Sequence, residues 1–329
     1  MTRISYAEGR AAQPEALDRI VGRLRGSLDL PPVRRPLFCG IGASYAALAV
    51  PVEALRRYGV PAYRVLASEV AEYPAAFDAD VLIAASQGGK SSETIAAFEQ
   101  TRAATVAVVN VGDSPLAVLA EHLVGLGDEP DSYASTVGFT GTIVALDLIA
   151  AAVAGDPAAA KKWDGIGELV RSVGRIPDVA SFVAADVVGS GASRASAEEA
   201  ALLLREVPRV PAAASATRNY LHGEMESAGG TLHLIFGADR EVELARTLAG
   251  AGHQTVLVTT AAVDSDGKLS VVRLPDVDPA VRVVLETVVA QELVAVLAEQ
   301  RGVVPEQFVF ANHDTKLGGV DRSDFEAAS

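Results

Sequence analysis

Short continuous apolar runs alternate along this 329-residue chain with longer helix-like segments. Runs such as VLIAAS (81–86) and TVAVVNV (105–111) do not alternate apolar with polar residues. A strand of this kind is buried on both faces, which is typical of a parallel sheet covered by helices on both sides. The sequence therefore predicts an α/β protein in which strands and helices follow one another in turn.

The predicted elements fall into two similar sets along the chain. The predicted strands are LFCGIG (around residue 40), VLIAAS (81–86), TVAVVNV (105–111), HLVGLG (122–127), FVAADVVGSG (182–191), LHLIFG (232–237), QTVLVTT (254–260) and VVRLP (271–275). Helices are predicted over Pro14–Leu28, Ser44–Tyr58, Ser91–Arg102, Phe139–Ala154, Ser193–Glu206 and Val281–Arg301, with a helical turn from Ser114.

A repeated strand–loop–helix unit opens each half. GIGASYAA (40–47) and GSGASRAS (189–196) share the frame G-x-G-A-S-x-A, and each follows a predicted strand and precedes a helix. This indicates duplication, although two Gly/Ala-rich turns can also be alike by chance. The segment AGDPAAAKKWDG (154–165) interrupts the pattern. We therefore predict two domains, 1–165 and 166–329, and assign the C-terminal tail to the second.

Composition narrows the class of protein. The formal net charge of −14 disfavours a nucleic-acid or anionic-membrane partner. Cys39 is the single cysteine, and the first residues lack a hydrophobic signal core, so a reducing cytoplasm is expected. The histidines are scattered and form no metal-ligand spacing with Cys39. Neither a metal site nor a cofactor is predicted.

The loop SQGGKSSET (86–94) has the character of a phosphate site. Unpaired N–H groups and the helix dipole favour an anion where a strand runs through a small polar loop into a helix. Ser86 ends the predicted strand, and Ser91 or Ser92 can cap the helix. The alternative is an ordinary capped helix behind a glycine turn. The loop lacks Walker spacing, and GIGASY lacks the dinucleotide fingerprint.

A second polar cluster, DSYASTVGFTGT (131–142), precedes an apolar helix. Its hydroxyl groups can cap that helix or contact a polyhydroxylated ligand. In the second half, Glu199 and Glu206 lie two helical turns apart and so share a face. A partly buried Glu206 would have a raised pKa suited to proton transfer, and His222 could assist it. For each of these two residues, a surface or capping role is the alternative.

Several segments together resemble the tandem sugar isomerase (SIS) domain family, and in particular the isomerase half of glucosamine-6-phosphate synthase. The matching segments are FCGIGASYAA, ASEV (67–70), LIAASQGGKSSETIAA, NVGDSPLAVLAE, YASTVGFT, GSGASRASAEEAALLLREV and NYLHGE. The resemblance implies two flavodoxin-like α/β domains, each a parallel sheet with helices on both faces. It also implies that loops of the first domain hold a sugar phosphate.

Site residues follow from the resemblance position by position. The implied phosphate-binding residues are Ala43, Ser44, Ser86, Gln87, Ser91 and Gly88, the last standing where the family usually has serine. Ser135 and Thr136 match a segment that lines the sugar. Glu206 matches the carboxylate that moves a proton between C1 and C2, and Glu199 matches an acidic position at the crevice floor. His222 matches a ring-opening histidine contributed by the partner subunit, which implies a homodimer with shared active sites.

Three departures from the family pattern bear on the reaction. No glutaminase domain precedes the matching region, so glutamine-dependent amino transfer is not expected of this chain alone. Leu203 stands where the family helix has lysine. The family's imine-forming tail lysine falls near Asn312 or His313, so either Lys316 replaces it or the imine chemistry is lost.

The predicted function is that of a phosphosugar isomerase or amino-sugar-phosphate deaminase, acting on a phosphorylated sugar or amino sugar. A fructosamine-6-phosphate deglycase is an alternative, because it also needs an opened sugar and a proton shift. A non-catalytic sugar-phosphate sensor is another. SIS sensors usually carry a helix-turn-helix domain, and the roughly 35 residues before the first predicted strand do not resemble one.

Overall fold

Two five-stranded parallel sheets form the framework of the chain in the computed structural model, which describes residues 2–26, 28–174 and 176–326. The chain divides into two units. The first comprises Met1–Gly167 with Glu306–Ser329, and the second comprises Glu168–Pro305. The tail therefore packs with the first unit, and its assignment to the second domain is corrected. The reason is that its backbone pairs with residues 90–92 of the first unit.

The first unit follows the predicted alternation of strands and helices. Its strands are β1 (Pro36–Gly40), β2 (Tyr63–Leu66), β3 (Val81–Ala85), β4 (Ala104–Val109) and β5 (His122–Gly125). Its helices are α1 (Tyr6–Leu24), α2 (Ala43–Ala47), α3 (Ala49–Arg57), α4 (Ala67–Glu72), α5 (Ser92–Gln100), α6 (Pro115–Leu119) and α7 (Val137–Ala154), and α8 (Ile166–Arg171) crosses into the second unit.

The second unit repeats this plan. Its strands are β6 (Ala184–Gly189), β7 (Ala212–Ala216), β8 (Thr231–Phe236), β9 (Thr255–Thr259) and β10 (Leu269–Arg273). Its helices are α9 (Arg194–Glu206), α10 (Thr217–Tyr220), α11 (Arg240–Gly250) and α12 (Pro279–Arg301). All eight predicted strands are present. The edge strands β2 and β7 are the two that the apolar pattern did not reveal.

Both sheets have the same topology. The strand orders are β2-β1-β3-β4-β5 and, read from the other edge, β7-β6-β8-β9-β10, and every pairing is parallel. In each unit this is the 2-1-3-4-5 order of flavodoxin-like proteins. The order reverses between β1 and β3, so the loops that follow these two strands flank the crevice where such folds bind ligands.

Helices cover the first sheet on one side through α4, α5 and α6. Their apolar residues pack on Leu37, Cys39, Leu82 and Ala84 of β1 and β3. Cys39 has no exposed surface, and burial raises the pKa of its thiol to about 12. A thiol in that state is not a nucleophile at neutral pH, which agrees with the prediction that Cys39 is a small buried residue.

Helix α7 lies in the core of the first unit against α1 and α3. By length and composition it could cross a membrane, but 83% of its 18-residue apolar span is buried in the fold. Its one carboxylate, Asp147, accepts hydrogen bonds from Trp163 Nε1 and Lys162 Nζ, each at 2.9 Å. A buried carboxylate satisfied by neighbouring side chains is typical of a core helix.

Candidate functional site

A pocket of about 550 Å³ opens at the carboxyl edge of the first sheet. Ser44 lines it from the loop after β1, and Ser86, Gln87 and Ser91 line it from the loop after β3. These four residues are among those predicted to bind phosphate, and the structure brings them together because β1 and β3 are adjacent. Ala43, the first residue of α2, lies immediately before Ser44.

The loop after β3 combines a tight turn with a helix cap. Gly89 has φ +59°, and a Cβ there would lie 2.0 Å from the Ser114 hydroxyl oxygen, so glycine is required. The Ser91 hydroxyl accepts a hydrogen bond from the N–H of Thr94 and caps helix α5, as predicted. It also donates to Glu93 at 3.0 Å. The sequence left open whether this loop caps a helix or forms part of a binding site. In the structure Ser91 caps helix α5 and also lines the pocket.

Gly88 lines the same pocket in a different setting. A Cβ built on it meets no heavy atom within 4 Å. The position therefore has room for the serine that the family pattern usually carries. The missing side chain removes one hydroxyl donor while leaving the backbone N–H groups of the loop in place.

Asp131 lies behind the pocket and holds Gln87, one of its lining residues, by a hydrogen bond. Its carboxylate is fully buried and accepts hydrogen bonds from Gln87 Nε2 (2.5 Å) and from the N–H of Gly138 (3.0 Å). It also accepts from the hydroxyl of Ser135 (2.9 Å) and from the hydroxyl and N–H of Thr136 (2.5 and 3.0 Å). Burial raises the pKa of Asp131, and the hydrogen bonds from Thr136, Ser135 and Gly138 oppose that rise. The hydroxyl groups of Ser135 and Thr136, which were predicted to line the sugar, thus point to Asp131. Of this segment, Tyr133 lines the pocket.

Lys316 reaches this pocket from the tail. The N–H of Leu317 donates to Lys90 O at 2.8 Å, which holds the tail beside the loop after β3. Lys316 Nζ then lies 3.2 Å from the Tyr133 phenol oxygen and 4.5 Å from the ring centroid. The family resemblance leaves open which tail residue stands for the family's lysine. In the structure Lys316 is among the residues that line the pocket.

Arg3 also lines the pocket and was not among the predicted site residues. A single arginine ahead of the first helix carries no motif, and only pairing with residue 131 brings it to the site. Tyr133 and Asp131 were missed as site residues for a different reason. Both belong to the DSYAST cluster, in which the hydroxyl groups of Ser135 and Thr136 are the feature that predicts contact with a polyhydroxylated ligand.

The predicted acid–base residues belong to the second unit. Glu206 is the last residue of α9 and is half-buried, whereas Glu199 on the same helix is buried. His222 is exposed in the segment after α10. Asn219 Nδ2 and the Ser215 hydroxyl donate to the two carboxylate oxygens of Glu224, two residues beyond His222.

The Gly/Ser loop after β6 differs from the loop after β1 because its serine hydroxyls already donate hydrogen bonds to glutamate side chains. The hydroxyls of Ser193 and Ser196 donate to Glu286 at 2.9 and 2.6 Å. The Ser190 hydroxyl donates to Glu241 at 2.7 Å. The repeated sequence frame therefore forms an open pocket in the first unit and an internal hydrogen-bond network in the second.

The two doubly wound parallel sheets agree with the α/β fold that the sequence resemblance implies. Solved structures with this fold bear out the resemblance at the level of the fold. The C-terminal domain of glucosamine-fructose-6-phosphate aminotransferase from Francisella tularensis has a TM-score of 0.76 at 18% identity, covering 90% of this chain and 96% of its own.

Two further solved structures have the same fold. Glucosamine-6-phosphate deaminase from Thermotoga maritima has a TM-score of 0.73 at 18% identity, covering 92% of this chain and 95% of its own. Tagatose-6-phosphate ketose/aldose isomerase from Escherichia coli has a TM-score of 0.72 at 16% identity, covering 91% and 94%. No family model matches the chain, and no curated protein matches its sequence.

Proposed function

We propose that this protein is an enzyme with two SIS domains that isomerises or deaminates a phosphorylated sugar or amino sugar. The observation that carries the proposal is the first-unit pocket, where Ser44, Ser86, Gln87 and Ser91 converge at the switch point of the sheet. Hydroxyl and amide donors beside the capped N-terminus of helix α5 suit a phosphate group. The solved structures that share the fold include an isomerase and a deaminase of hexose 6-phosphates.

The chemistry is assigned to two residues of the second unit. Glu206, half-buried at the end of α9, moves the proton between C1 and C2 as a general base. His222 opens the sugar ring, and its exposure suits a residue that acts on the substrate of a partner subunit. Both roles rest on the sequence resemblance.

Turnover in deuterated water tests this proposal. The substrates are glucosamine 6-phosphate, fructose 6-phosphate, tagatose 6-phosphate and a 6-phosphorylated fructosamine, each beside its unphosphorylated form. We expect solvent deuterium in one phosphorylated sugar, at C1 where the labelled species is a ketose and at C2 where it is an aldose or a 2-amino sugar. Glu206→Gln should lower that rate at least a hundredfold, the lower limit for a general base. Glu243→Gln, at an exposed glutamate of α11, is the matched control and should leave the rate unchanged.

Unchanged turnover in Glu206→Gln would refute the acid–base assignment. If one phosphorylated sugar binds tightly but none exchanges a proton for deuterium, the sensor function would be favoured instead. A mixture of the inactive variants Glu206→Gln and His222→Ala tests the shared site. If the two residues act in one site built from two subunits, mixed dimers should recover part of the activity, and a mixture without any recovery would exclude that arrangement.

A further inference from the structure

Two cations from opposite ends of the chain converge on one aromatic ring in the pocket. Arg3 Cζ lies 5.2 Å from the centroid of the Tyr133 ring. Lys316 Nζ lies 4.5 Å from the same centroid and 3.2 Å from the phenol oxygen. All three side chains line the pocket that contains the predicted phosphate loop. The ring holds both cations in place by cation–π attraction.

Backbone pairing fixes Arg3 in this position. The N–H of Ile4 donates to Asp131 O, and the N–H of Asp131 donates to Thr2 O, each at 3.2 Å. Arg3 Nη1 donates to Ser132 O at 2.8 Å. One hydrogen bond from the Arg3 side chain and two made by the backbone of its neighbours therefore hold this end of the chain against the segment that carries Tyr133.

Backbone pairing fixes Lys316 in the same way. The N–H of Ser92 donates to Thr315 O at 3.2 Å, and the N–H of Leu317 donates to Lys90 O at 2.8 Å. Lys316 thus lies directly opposite the phosphate loop. Edge-to-face packing of Phe308 and Phe325 on the Tyr133 ring, with centroids 4.6 and 4.5 Å away, attaches the rest of the tail to this wall.

The charge of the pocket is opposite to that of the protein. Its described lining contains the cations Arg3, Lys90 and Lys316 and the carboxylates Glu93 and Asp324, a balance of +1 in a chain of net charge −14. Burial lowers the pKa of Arg3, and the nearby charges of Asp131 and Asp324 act against that fall. A partly desolvated guanidinium facing an open polar pocket is suited to pair with an anion.

We propose that Arg3 and Lys316 are charged anion ligands of this pocket and compensate for the hydroxyl that Gly88 does not supply. The proposal rests on the proposed function, since it concerns the same pocket. It assigns Lys316 to binding as an ammonium. Cation–π contact and donation to the Tyr133 hydroxyl both favour the charged form, whereas an imine-forming lysine must react as the neutral amine.

Calorimetric titration of the full-length protein with inorganic phosphate tests this assignment, with sodium chloride keeping the ionic strength constant. Arg3→Gln and Lys316→Gln should each weaken phosphate binding about tenfold, the effect of losing one charge-assisted contact. Lys316→Arg keeps the charge but cannot form an imine, so its affinity should stay within about threefold. The control is Arg34→Gln, an exposed arginine just ahead of β1 at the opposite edge of the sheet, which should leave binding unchanged.

The outcomes separate this inference from the proposed function. If the wild type binds phosphate and both Gln variants bind it equally well, the inference is wrong and the proposed function stands. If the wild type binds neither phosphate nor any 6-phosphosugar, both are wrong. Borohydride trapping of a sugar on Lys316, with loss of turnover in Lys316→Arg, would show an imine-forming lysine and overturn its assignment as an anion ligand. Melting temperatures of all variants identify any that fail to fold.

Discussion

Glu286 of helix α12 is a carboxylate with no exposed surface, and replacing it with glutamine should change how the stability of the protein depends on pH. Its oxygens accept hydrogen bonds from Ser193 and Ser196, and Arg282 Nε lies 3.2 Å away. Burial raises the pKa of Glu286 to about 7 despite the attraction of Arg282, and the neighbouring carboxylate of Glu241 adds to the rise. The folded protein therefore favours the protonated acid.

The size of the effect follows from the difference between folded and unfolded pKa values. With values of about 7 folded and 4.5 unfolded, the folded state binds more protons between these two pH values. The stabilising contribution is complete below about pH 4.5 and is lost as the pH rises through about 7. The loss amounts to about 3 kcal/mol, since one pKa unit corresponds to roughly 1.4 kcal/mol. Glutamine stays neutral, so Glu286→Gln removes this loss.

Urea unfolding at pH 5 and pH 8, followed by circular dichroism, measures the difference. The free energy of unfolding of the wild type should fall between these pH values by about 2 to 3 kcal/mol more than that of Glu286→Gln. Glu243→Gln changes charge equally at an exposed site and should follow the wild type. The reasoning is refuted if Glu286→Gln shows the same pH dependence as the wild type.

Three substitutions in the first unit test the local arguments. Gly88→Ser places a hydroxyl in open space and should tighten phosphate binding about threefold to tenfold in a calorimetric titration, and weaker binding would contradict this. Gly89→Ala meets the Ser114 side chain at positive φ and should lower the free energy of unfolding in urea by about 2 kcal/mol, so an unchanged value would count against the turn. Asp131→Ala leaves buried N–H groups unpaired and releases the Gln87 side chain. It should lower the free energy of unfolding in urea by about 3 kcal/mol and weaken phosphate binding, whereas retained phosphate affinity would exclude a role for Asp131 in positioning Gln87.

The parallel sheets could be predicted from sequence because their central strands are buried on both faces. β3 is a continuous apolar run, β8 (TLHLIF) is apolar except for Thr231 and His233, and every residue of each strand is buried. The edge strand β2 (YRVL) is not fully buried at any position, and β7 (AAASA) has only small side chains, so neither shows the buried run of large apolar residues that predicts a central strand. An edge strand forms because its backbone pairs with the adjacent strand of the sheet, here β1 or β6. The sequence of the edge strand itself does not show that this pairing partner is present.

Helix ends were predictable where a side chain caps them locally. Ser91 and Ser114 were recognised, and both accept a hydrogen bond from the backbone of the first turn. Helix α1 begins at Tyr6 rather than Pro14, because Ser5 forms a capping box and Pro14 is accommodated inside the helix. A proline is more often found at the start of a helix, which explains the misplaced beginning.

The candidate site was predictable only where its residues follow a strand. Ser86 and Gln87 sit in a loop whose position is fixed by β3, and the sequence motif identifies them. Arg3 and Lys316 come from the two ends of the chain and reach the pocket through backbone pairing with distant segments. Pairing of this kind depends on the folded tertiary structure, so no local pattern reveals it.

The central claim is that the pocket of the first unit holds the phosphate of a sugar phosphate. Titration calorimetry with glucosamine, fructose and tagatose, each with and without its 6-phosphate, tests this claim most directly. We expect at least one phosphorylated sugar to bind while its unphosphorylated form does not. Ser86→Ala, which removes a hydroxyl lining the pocket, should weaken that binding about tenfold. Equal binding of both forms, or unchanged affinity in Ser86→Ala, would contradict the assignment.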